Sequence, residues 1–406
     1  MSTFLLVIIY LAFISLGLPD SLLGSAWPVM QPELGASFAS AGIVSMIVAG
    51  GTIVSSLASG KVLQKLGTGK VTLISCMLTA GALIGFFVSS SLGMLAILAI
   101  PLGLGAGSVD AGLNHYVAAN YKAHHMNWLH CFWGVGATMG PIIMSASIAG
   151  YDSWRGGYIA VSMIQLMLVI VLFFTLPLWN KVALSKNIES PPIHIERGSN
   201  LQEKKTGSNV LNIEGVKASL IAFFLYCGVE STVGLWGASY LAGAHRLPAE
   251  TAAGWISLYY GGITLGRLIT GFFALKVSNK ILIRYGQIIA VTGGIIILLP
   301  LPVALILPGF ILLGLGLAPV FPGLLHETPA RFGMENSGKL IGYQMAVAYT
   351  GTTLLPPIFG ALAEKTDIAA LPFVVLIFLV LKLLSVEKVN LILRKKQQKF
   401  TCDSTV

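Results

Sequence analysis

Two carboxylic acids, Asp20 and Asp110, stand inside long apolar runs that are expected to cross a membrane. A carboxylate in hydrocarbon costs on the order of a few kcal/mol, so such acids are rarely retained without a function. In a cavity that opens to each side in turn, an acid can alternate between its protonated and ionised forms. Both acids are therefore predicted to couple protons and to contact a solute. In the structural alternative, Gly17 and Pro19 break the helix and Asp20 caps it.

A second group of polar and aromatic side chains lies in the apolar runs. Asn114 follows Asp110 by one helical turn, so the two residues share a helix face. Glu230 and Trp236 fit a sugar site, in which acids hold hydroxyl groups and an aromatic ring lies against the apolar face of the sugar. The alternative is an inter-helix hydrogen bond with an aromatic residue at the membrane interface. The predicted solute-binding residues are Asp20, Asp110, Asn114, Asn127, Trp133, Glu230, Trp236, Tyr259 and Gln344. Among these, Asn127, Trp133, Tyr259 and Gln344 are weaker candidates, as are His130 and Tyr260.

The elements that must position these residues are membrane-spanning helices. The chain of 406 residues is 55% hydrophobic and 10% charged, whereas soluble domains carry about 25% charged residues. Backbone groups in lipid must be satisfied within the segment, which requires helices here. The apolar runs predict twelve spans, at residues 4–29, 39–60, 71–90, 92–119, 127–149, 156–179, 216–241, 250–274, 281–300, 302–325, 338–362 and 369–392.

The distribution of Lys and Arg predicts the orientation of these spans. With both termini in the cytoplasm, nearly all basic residues, Lys382 among them, fall in the cytoplasmic set. The outside set then holds only Arg155, Arg246 and Lys365. Arg267 remains inside a span, where its long side chain is expected to reach the headgroups. The net charge of +9 is explained by this asymmetry and does not indicate a nucleic-acid partner.

The chain divides at a polar stretch into two halves that repeat. We predict an N-terminal six-helix bundle at 1–179, a cytoplasmic linker at 180–215, a C-terminal six-helix bundle at 216–392 and a cytoplasmic tail at 393–406. Glycines recur at a constant offset, as in Gly103 and Gly105 against Gly314 and Gly316. A parallel repeat of two bundles predicts a binding site near the bilayer midplane, between the halves.

This arrangement resembles the major facilitator superfamily. The family has a charged, glycine-rich loop after its second span, and this chain has Gly60, Lys65, Gly67 and Lys70 there. The resemblance implies that this loop and Arg267 have structural or gating roles. Gln64 stands where the family has an aspartate.

Within that superfamily the acids of spans one and four resemble those of the fucose–proton symporter group. There an acid on helix one and an acid on helix four act in sugar binding and proton coupling, which Asp20 and Asp110 would do here. The stretch from Asn127 to Pro141 resembles the fifth helix of that group. The resemblance implies a proton-coupled sugar symporter.

Other functions remain open at this stage. The same acids could drive export of drugs or metabolites by proton antiport, and carboxylates also suit sodium. An enzyme is not expected, because the chain has no HExxH, GxSxG or Walker sequence. No cofactor or metal site is predicted. The expected partners are a small solute, a proton or sodium ion and the bilayer of the plasma membrane, and the protein is expected to be a monomer.

Overall fold

A computed structural model describes residues 2–121, 123–189, 210–274 and 276–403, and these residues are almost entirely helical. The first half contains α1 (Ser2–Asp20), α2 (Leu22–Glu33), α3 (Ser40–Leu66), α4 (Thr68–Val88), α5 (Leu92–Asn120), α6 (Ala123–Tyr151) and α7 (Arg155–Glu189). The second half contains α8 (Val216–His245), α9 (Ala249–Phe273), α10 (Asn279–Leu298), α11 (Val303–Leu317), α12 (Val320–Phe332), α13 (Met334–Lys365) and α14 (Leu371–Asp403). Two short 3₁₀ helices, Val210–Asn212 and Ile368–Ala370, complete the described part.

Eleven helical segments in the described residues are long and apolar enough to cross a membrane. They coincide with eleven of the predicted spans, so the prediction of an all-α membrane protein is confirmed. The remaining predicted span, 250–274, forms α9, which is a continuous helix of 25 residues. Because α9 packs against α6 and α11, it can carry Glu250, Arg267 and several hydroxyl groups without exposing all of them to lipid.

Two spans consist of two helices joined at a break. The first span is interrupted at Ser21, between α1 and α2, directly after Pro19 and Asp20. The other break lies between α11 and α12, at Ala318 and Pro319. Proline removes a backbone donor and clashes with the preceding turn, which explains why the helices end there.

The sequence repeat corresponds to a repeat of helix contacts. A methyl group on Gly103 of α5 would collide with the carbonyl oxygen of Val48 on α3. At the same offset in the second half, a methyl group on Gly314 of α11 would collide with the carbonyl oxygen of Tyr259 on α9. The contact of Gly105 with Ser75 in the first half is equivalent to that of Gly316 with Gly286 in the second. In the same way, the contact of Gly136 with Ile14 is equivalent to that of Gly351 with Phe224. Small residues therefore hold both bundles together in the same way.

The predicted domain limits remain a prediction. Residues 190–209 of the predicted linker lie outside the described part of the chain, and α7 continues through Glu189, beyond the predicted end of its bundle. Likewise α14 continues to Asp403, through most of the predicted tail.

Gly314→Ala is expected to lower the apparent melting temperature of the purified protein. Its methyl group needs the space that the Tyr259 carbonyl occupies, and overpacking costs about 1–3 kcal/mol. The matched control is Gly342→Ala, because no atom lies within 4 Å of the added carbon there. Alanine at that exposed helical position is expected to keep or raise the melting temperature by its better helix propensity. Equal effects at the two positions would contradict the packing described.

A charged cavity between the bundles

The two bundles touch at the end of the molecule opposite the chain termini. A methyl group on Gly24 of α2 would collide with the Gly234 carbonyl on α8, and one on Gly42 of α3 would lie 2.6 Å from Pro357 Cα on α13. Nearby, Phe38 stacks on Trp236 with ring centroids 4.7 Å apart. Along another seam, Ser145 Oγ of α6 donates to the Glu250 carbonyl of α9 at 2.7 Å. These contacts bring the halves together on the side of Asp20 that faces away from the chain termini.

Below these contacts a cavity of about 350 Å³ lies between the bundles. Ligand sites for small molecules commonly have a volume of about 300–1,000 Å³. Its wall includes two acids, Asp20 from the first half and Glu230 from the second. A second compartment of about 240 Å³ contains Asp110 and Arg267. The compartments adjoin, since both are lined by Leu16, Asp20, Thr52, Ala106, Trp133 and Tyr349.

Asp20 is the last residue of α1, and its side chain faces this cavity. The indole Nε1 of Trp133, on α6, donates a hydrogen bond of 2.8 Å to Asp20 Oδ2. Asp20 remains exposed although it lies at the middle of a span, because it borders the cavity. Asp20 therefore lies both at a helix break and at the cavity. The break at Ser21 places the acid at the end of α1, where its carboxylate reaches the open space of the cavity.

Asp110 lies in the second compartment, on α5. Asn114, one turn further along α5, donates from Nδ2 to Asp110 Oδ1 and to the Asp110 carbonyl, each at 2.9 Å. Asp110 and Asn114 therefore lie on one face of α5, as their spacing of one helical turn predicts. Asn114 itself does not line either compartment in the described residues, so its direct contact is with the acid.

Glu230 and Arg267 form an ion pair within the second bundle. Arg267 Nη2 lies 3.5 Å from Glu230 Oε1, and the side chains are 14% and 16% exposed. The Arg267 guanidinium also lies 5.2 Å from the centre of the Trp133 ring. The expectation that Arg267 extends to the headgroups is therefore corrected. Its positive charge is held at the cavity by a carboxylate of α8 and by the face of an indole of α6.

Three predicted solute-binding residues lie in packed regions away from the described cavity lining. Trp236 is fully buried and donates from Nε1 to the Pro356 carbonyl at 2.8 Å. The Tyr259 hydroxyl donates to the Glu230 carbonyl at 3.3 Å. Gln344 donates to Ser219 Oγ at 3.1 Å and accepts from Thr328 at 3.0 Å. The Asn127 side chain lies outside the described residues.

Other cavity residues carried only a weak signal in the sequence, or none. His130 and Tyr260, two of the weaker candidates, line the smaller and the larger compartment respectively. Gln165 lines it from α7 and donates to the Ser15 carbonyl at 2.8 Å. Tyr349 of α13 borders both compartments. Single polar residues of this kind are common in membrane helices, so their types alone did not separate them from ordinary packing.

The predicted glycine-rich loop lies between α3 and α4, at the same end of the molecule as the chain termini. Gly67 joins the two helices with a φ of +77°, a conformation that favours glycine. Lys65 and Lys70 flank it and are exposed, while Gly60 has open space where a side chain would be. The gating role of this loop remains a prediction.

Lys382, which was counted in the cytoplasmic set and lies within the predicted span 369–392, is buried in the second bundle. Its exposed fraction is 0%, and its Nζ has no hydrogen-bond partner in the described residues. The amine lies 5.5 Å from the centre of the Tyr226 ring. Lys382 therefore does not reach the headgroups, although the count of basic residues treated it like the loop lysines. Burial of an amine without a hydrogen-bond acceptor costs free energy of folding.

Lys382→Met is expected to keep or raise the apparent melting temperature. Methionine has a similar length and removes the unpaired polar group, and apolar replacement of buried charge is often neutral or stabilising by about 1–4 kcal/mol. Lys388→Met, on the exposed face of the same helix, is the matched control. Thermal unfolding in detergent measures both variants. A clear loss of stability in Lys382→Met alone would show that the buried amine makes a stabilising contact.

The described residues contain no group of three or more His, Cys, Asp or Glu side chains that could hold a metal ion. What they do contain is a pair of repeated helical bundles with broken spans and a charged, solvent-reachable gap between them. That combination is typical of a secondary transporter of small solutes. The chain belongs to the Major Facilitator Superfamily, whose family model matches residues 9–356.

Similar proteins act on several kinds of solute. The chain is 22% identical over 379 residues to the cis,cis-muconate transport protein of Acinetobacter baylyi, which covers 90% of this chain and 89% of that protein. It is 23% identical over 248 residues to the glucose/mannose transporter GlcP of Bacillus subtilis, covering 58% of each. Together with the family match, these relatives indicate a transporter of small solutes. They do not confirm the resemblance to the fucose–proton symporter group.

Solved structures agree with the fold. The nucleoside transporter NupG superposes with a TM-score of 0.69 at 15% identity, covering 95% of this chain and 98% of that one. A bacterial homologue of the human lysosomal transporter Spinster superposes with a TM-score of 0.67 at 12% identity, covering 96% of each. The prediction of the major facilitator fold is confirmed by both.

Proposed function

We propose that this protein is a proton-coupled symporter of a sugar or a similar small polar solute. The observation that carries the proposal is the position of Asp20 and Asp110 on adjoining, solvent-reachable compartments between the two bundles. Both acids can exchange protons with water there, and a solute in the same space can sense their charge. Glu230 places a third carboxylate on the wall contributed by the other bundle.

The modest volume of the cavity and the acids on its wall support a polar solute. Asp20, Glu230, Gln165 and several hydroxyl groups border the larger compartment, and the rest of its lining is apolar or aromatic, with no methionine among the described residues. A carrier for large apolar drugs would need a wider, more aromatic and methionine-rich surface. Proton-driven export remains the alternative, because the same acids could serve antiport. Sodium in place of the proton is the second open point.

The distribution of basic residues supports a plasma-membrane protein with both termini in the cytoplasm. In that orientation the bundle contacts at Gly24 and Gly42 close the cavity toward the outside. A monomer is sufficient for this mechanism, because both walls of the cavity come from one chain.

Proteoliposomes that contain a pH-sensitive dye test the proposal. With no imposed gradient, an added transported solute is expected to carry protons into the lumen and acidify it. Export by antiport would instead alkalinise the lumen as solute enters. A transported solute that enters without moving protons, and only when sodium is present, would contradict proton coupling.

A further inference from the structure

The second bundle contributes a positive charge to the cavity, and the established transporter class does not explain it. Apart from His130, Arg267 is the only basic side chain that lines either compartment in the described part of the chain. It is 14% exposed, in the middle of a protein in which most other basic groups lie near helix ends. Burial of such a charge is tolerated only where an anion compensates it.

The compensation that Glu230 provides is incomplete. One guanidinium nitrogen lies 3.5 Å from one carboxylate oxygen, whereas paired guanidinium and carboxylate groups commonly make two parallel hydrogen bonds at about 2.7–2.9 Å. Compare Arg284, on α10, which makes that forked contact with Glu387 at 2.9 and 2.5 Å. Arg267 thus keeps donor capacity at the edge of the cavity. The Trp133 ring centre lies 5.2 Å from the guanidinium, and Tyr226 is a further neighbour of Arg267 within the second bundle.

We propose that the solute carries one carboxylate, which replaces Glu230 on the Arg267 guanidinium, and that the rest of the solute is hydroxylated. This inference rests on the proposed function and specifies its substrate class as a sugar acid. One guanidinium matches one carboxylate, because its planar fork fits the two oxygens. The amide and hydroxyl groups around the larger compartment then contact the hydroxyl groups of the solute.

Replacement of Glu230 by the solute requires that Glu230 lose its charge. A proton on Glu230 removes the attraction to Arg267, so that proton binding and anion binding occur together. No bond other than the O–H bond forms, and the solute carboxylate takes over the role of counter-ion. The other titratable or charged groups that face Glu230 are Tyr226 and Cys227 on α8, Tyr259 and Tyr260 on α9, Lys382 on α14 and Asp20 on α1. Of these, Asp20 borders the same compartment, and its negative charge would also oppose an anion unless protonated.

Three probes of the same size test the charge preference of wild-type protein. D-gluconate is negative, D-glucose is neutral and D-glucosamine is positive. Isothermal titration of the purified full chain is expected to show gluconate, or another hydroxylated monocarboxylate of four to six carbons, binding more than about tenfold tighter than the neutral and positive probes. Affinity for the carboxylate is expected to rise as the pH falls. Equal or tighter binding of glucose or glucosamine, or no binding by any such carboxylate, would overturn the inference.

Two variants then assign the preference to residues. Arg267→Gln is expected to remove the tighter binding of the carboxylate, and Arg267→Lys to restore only part of it, because lysine lacks the fork. Glu230→Gln is expected to keep carboxylate binding but flatten its dependence on pH. Unchanged carboxylate affinity in Arg267→Gln would contradict the proposed contact. If glucose enters liposomes with protons and gluconate does not, the sugar-acid inference fails and the symporter proposal stands. If gluconate enters without protons, the sugar-acid inference stands and the proposal of proton coupling fails.

Discussion

Asp20→Asn is expected to reduce proton movement coupled to solute by more than about tenfold, because its side chain no longer carries a titrating proton. Asparagine keeps the shape of the side chain and its ability to accept the Trp133 hydrogen bond. It cannot take up or release a proton in this pH range. Solute exchange without a proton gradient is expected to persist, because the walls of the cavity remain. Parallel measurement of labelled solute and of luminal pH in proteoliposomes separates the two activities.

Glu364→Gln is the matched control for this substitution. Glu364 is an exposed acid at the end of α13, away from the described cavity lining, and the change is also from a carboxylate to an amide. It should leave coupling at the level of the unmodified protein. Full proton coupling in Asp20→Asn would remove Asp20 from the proposed mechanism, and Asp110 would then have to be tested alone.

Gly24→Leu is expected to open the end of the molecule opposite the chain termini. The added side chain meets the Gly234 carbonyl and lies 2.8 Å from Leu235 Cα, so α2 and α8 cannot approach as they do now. Overpacking costs about 1–3 kcal/mol, enough to change the ratio of closed to open molecules by about fivefold to 150-fold. Spin labels at Ser37→Cys and Ala369→Cys, both exposed at that end, report the separation of the bundles. Their distance distribution is expected to shift to longer values.

The control for this prediction is Gly81→Leu on α4. No atom lies within 4 Å of a carbon added there, so the substitution should not affect the contact between the bundles. The labels are introduced after the four native cysteines have been replaced. An unchanged distribution in Gly24→Leu would mean that the contact of α2 with α8 does not close the cavity. Loss of the closed population should also abolish transport, because alternating access needs both states.

The helices and the acids were predictable because the membrane imposes strong local rules. A span must be apolar and helical, and an acid within it is costly, so the positions of the spans and of Asp20 and Asp110 follow from the sequence. The recurrence of glycines also predicted a real contact, since Gly103 and Gly314 occupy equivalent crossings of helices. The spans and their acids can be recognised within a single segment, and the glycine contacts can be recognised from a fixed offset between two segments.

The structure differs from the sequence-based expectation mainly in the direction in which side chains point from their helices. Trp236 lies six positions after Glu230, which is about 240° around a helix. When Glu230 faces the cavity, Trp236 must therefore pack elsewhere, here against Phe38 and the Pro356 carbonyl. The sequence shows both residues in one span without showing the direction of the partner helices.

The direction of the Arg267 side chain was misjudged because the rule for basic residues assumes that they extend to the headgroups. Arg267 is paired instead with Glu230, which is distant in sequence, and Lys382 is buried on α14, which packs on α8. Pairing over such a distance depends on the tertiary fold. The sequence around a basic residue does not show whether its side chain lines the cavity or lies at the membrane surface.

The account as a whole depends on a water-filled gap between the bundles at the level of the acids. Ser231→Cys, next to Glu230 on the cavity wall, tests this in a background without native cysteines. A charged, membrane-impermeant thiol reagent added to inverted vesicles is expected to react with it, and bound solute should protect it. Ser239→Cys, buried on the same helix, should not react. Equal lack of reaction at the two positions would contradict the gap and the carrier mechanism with it.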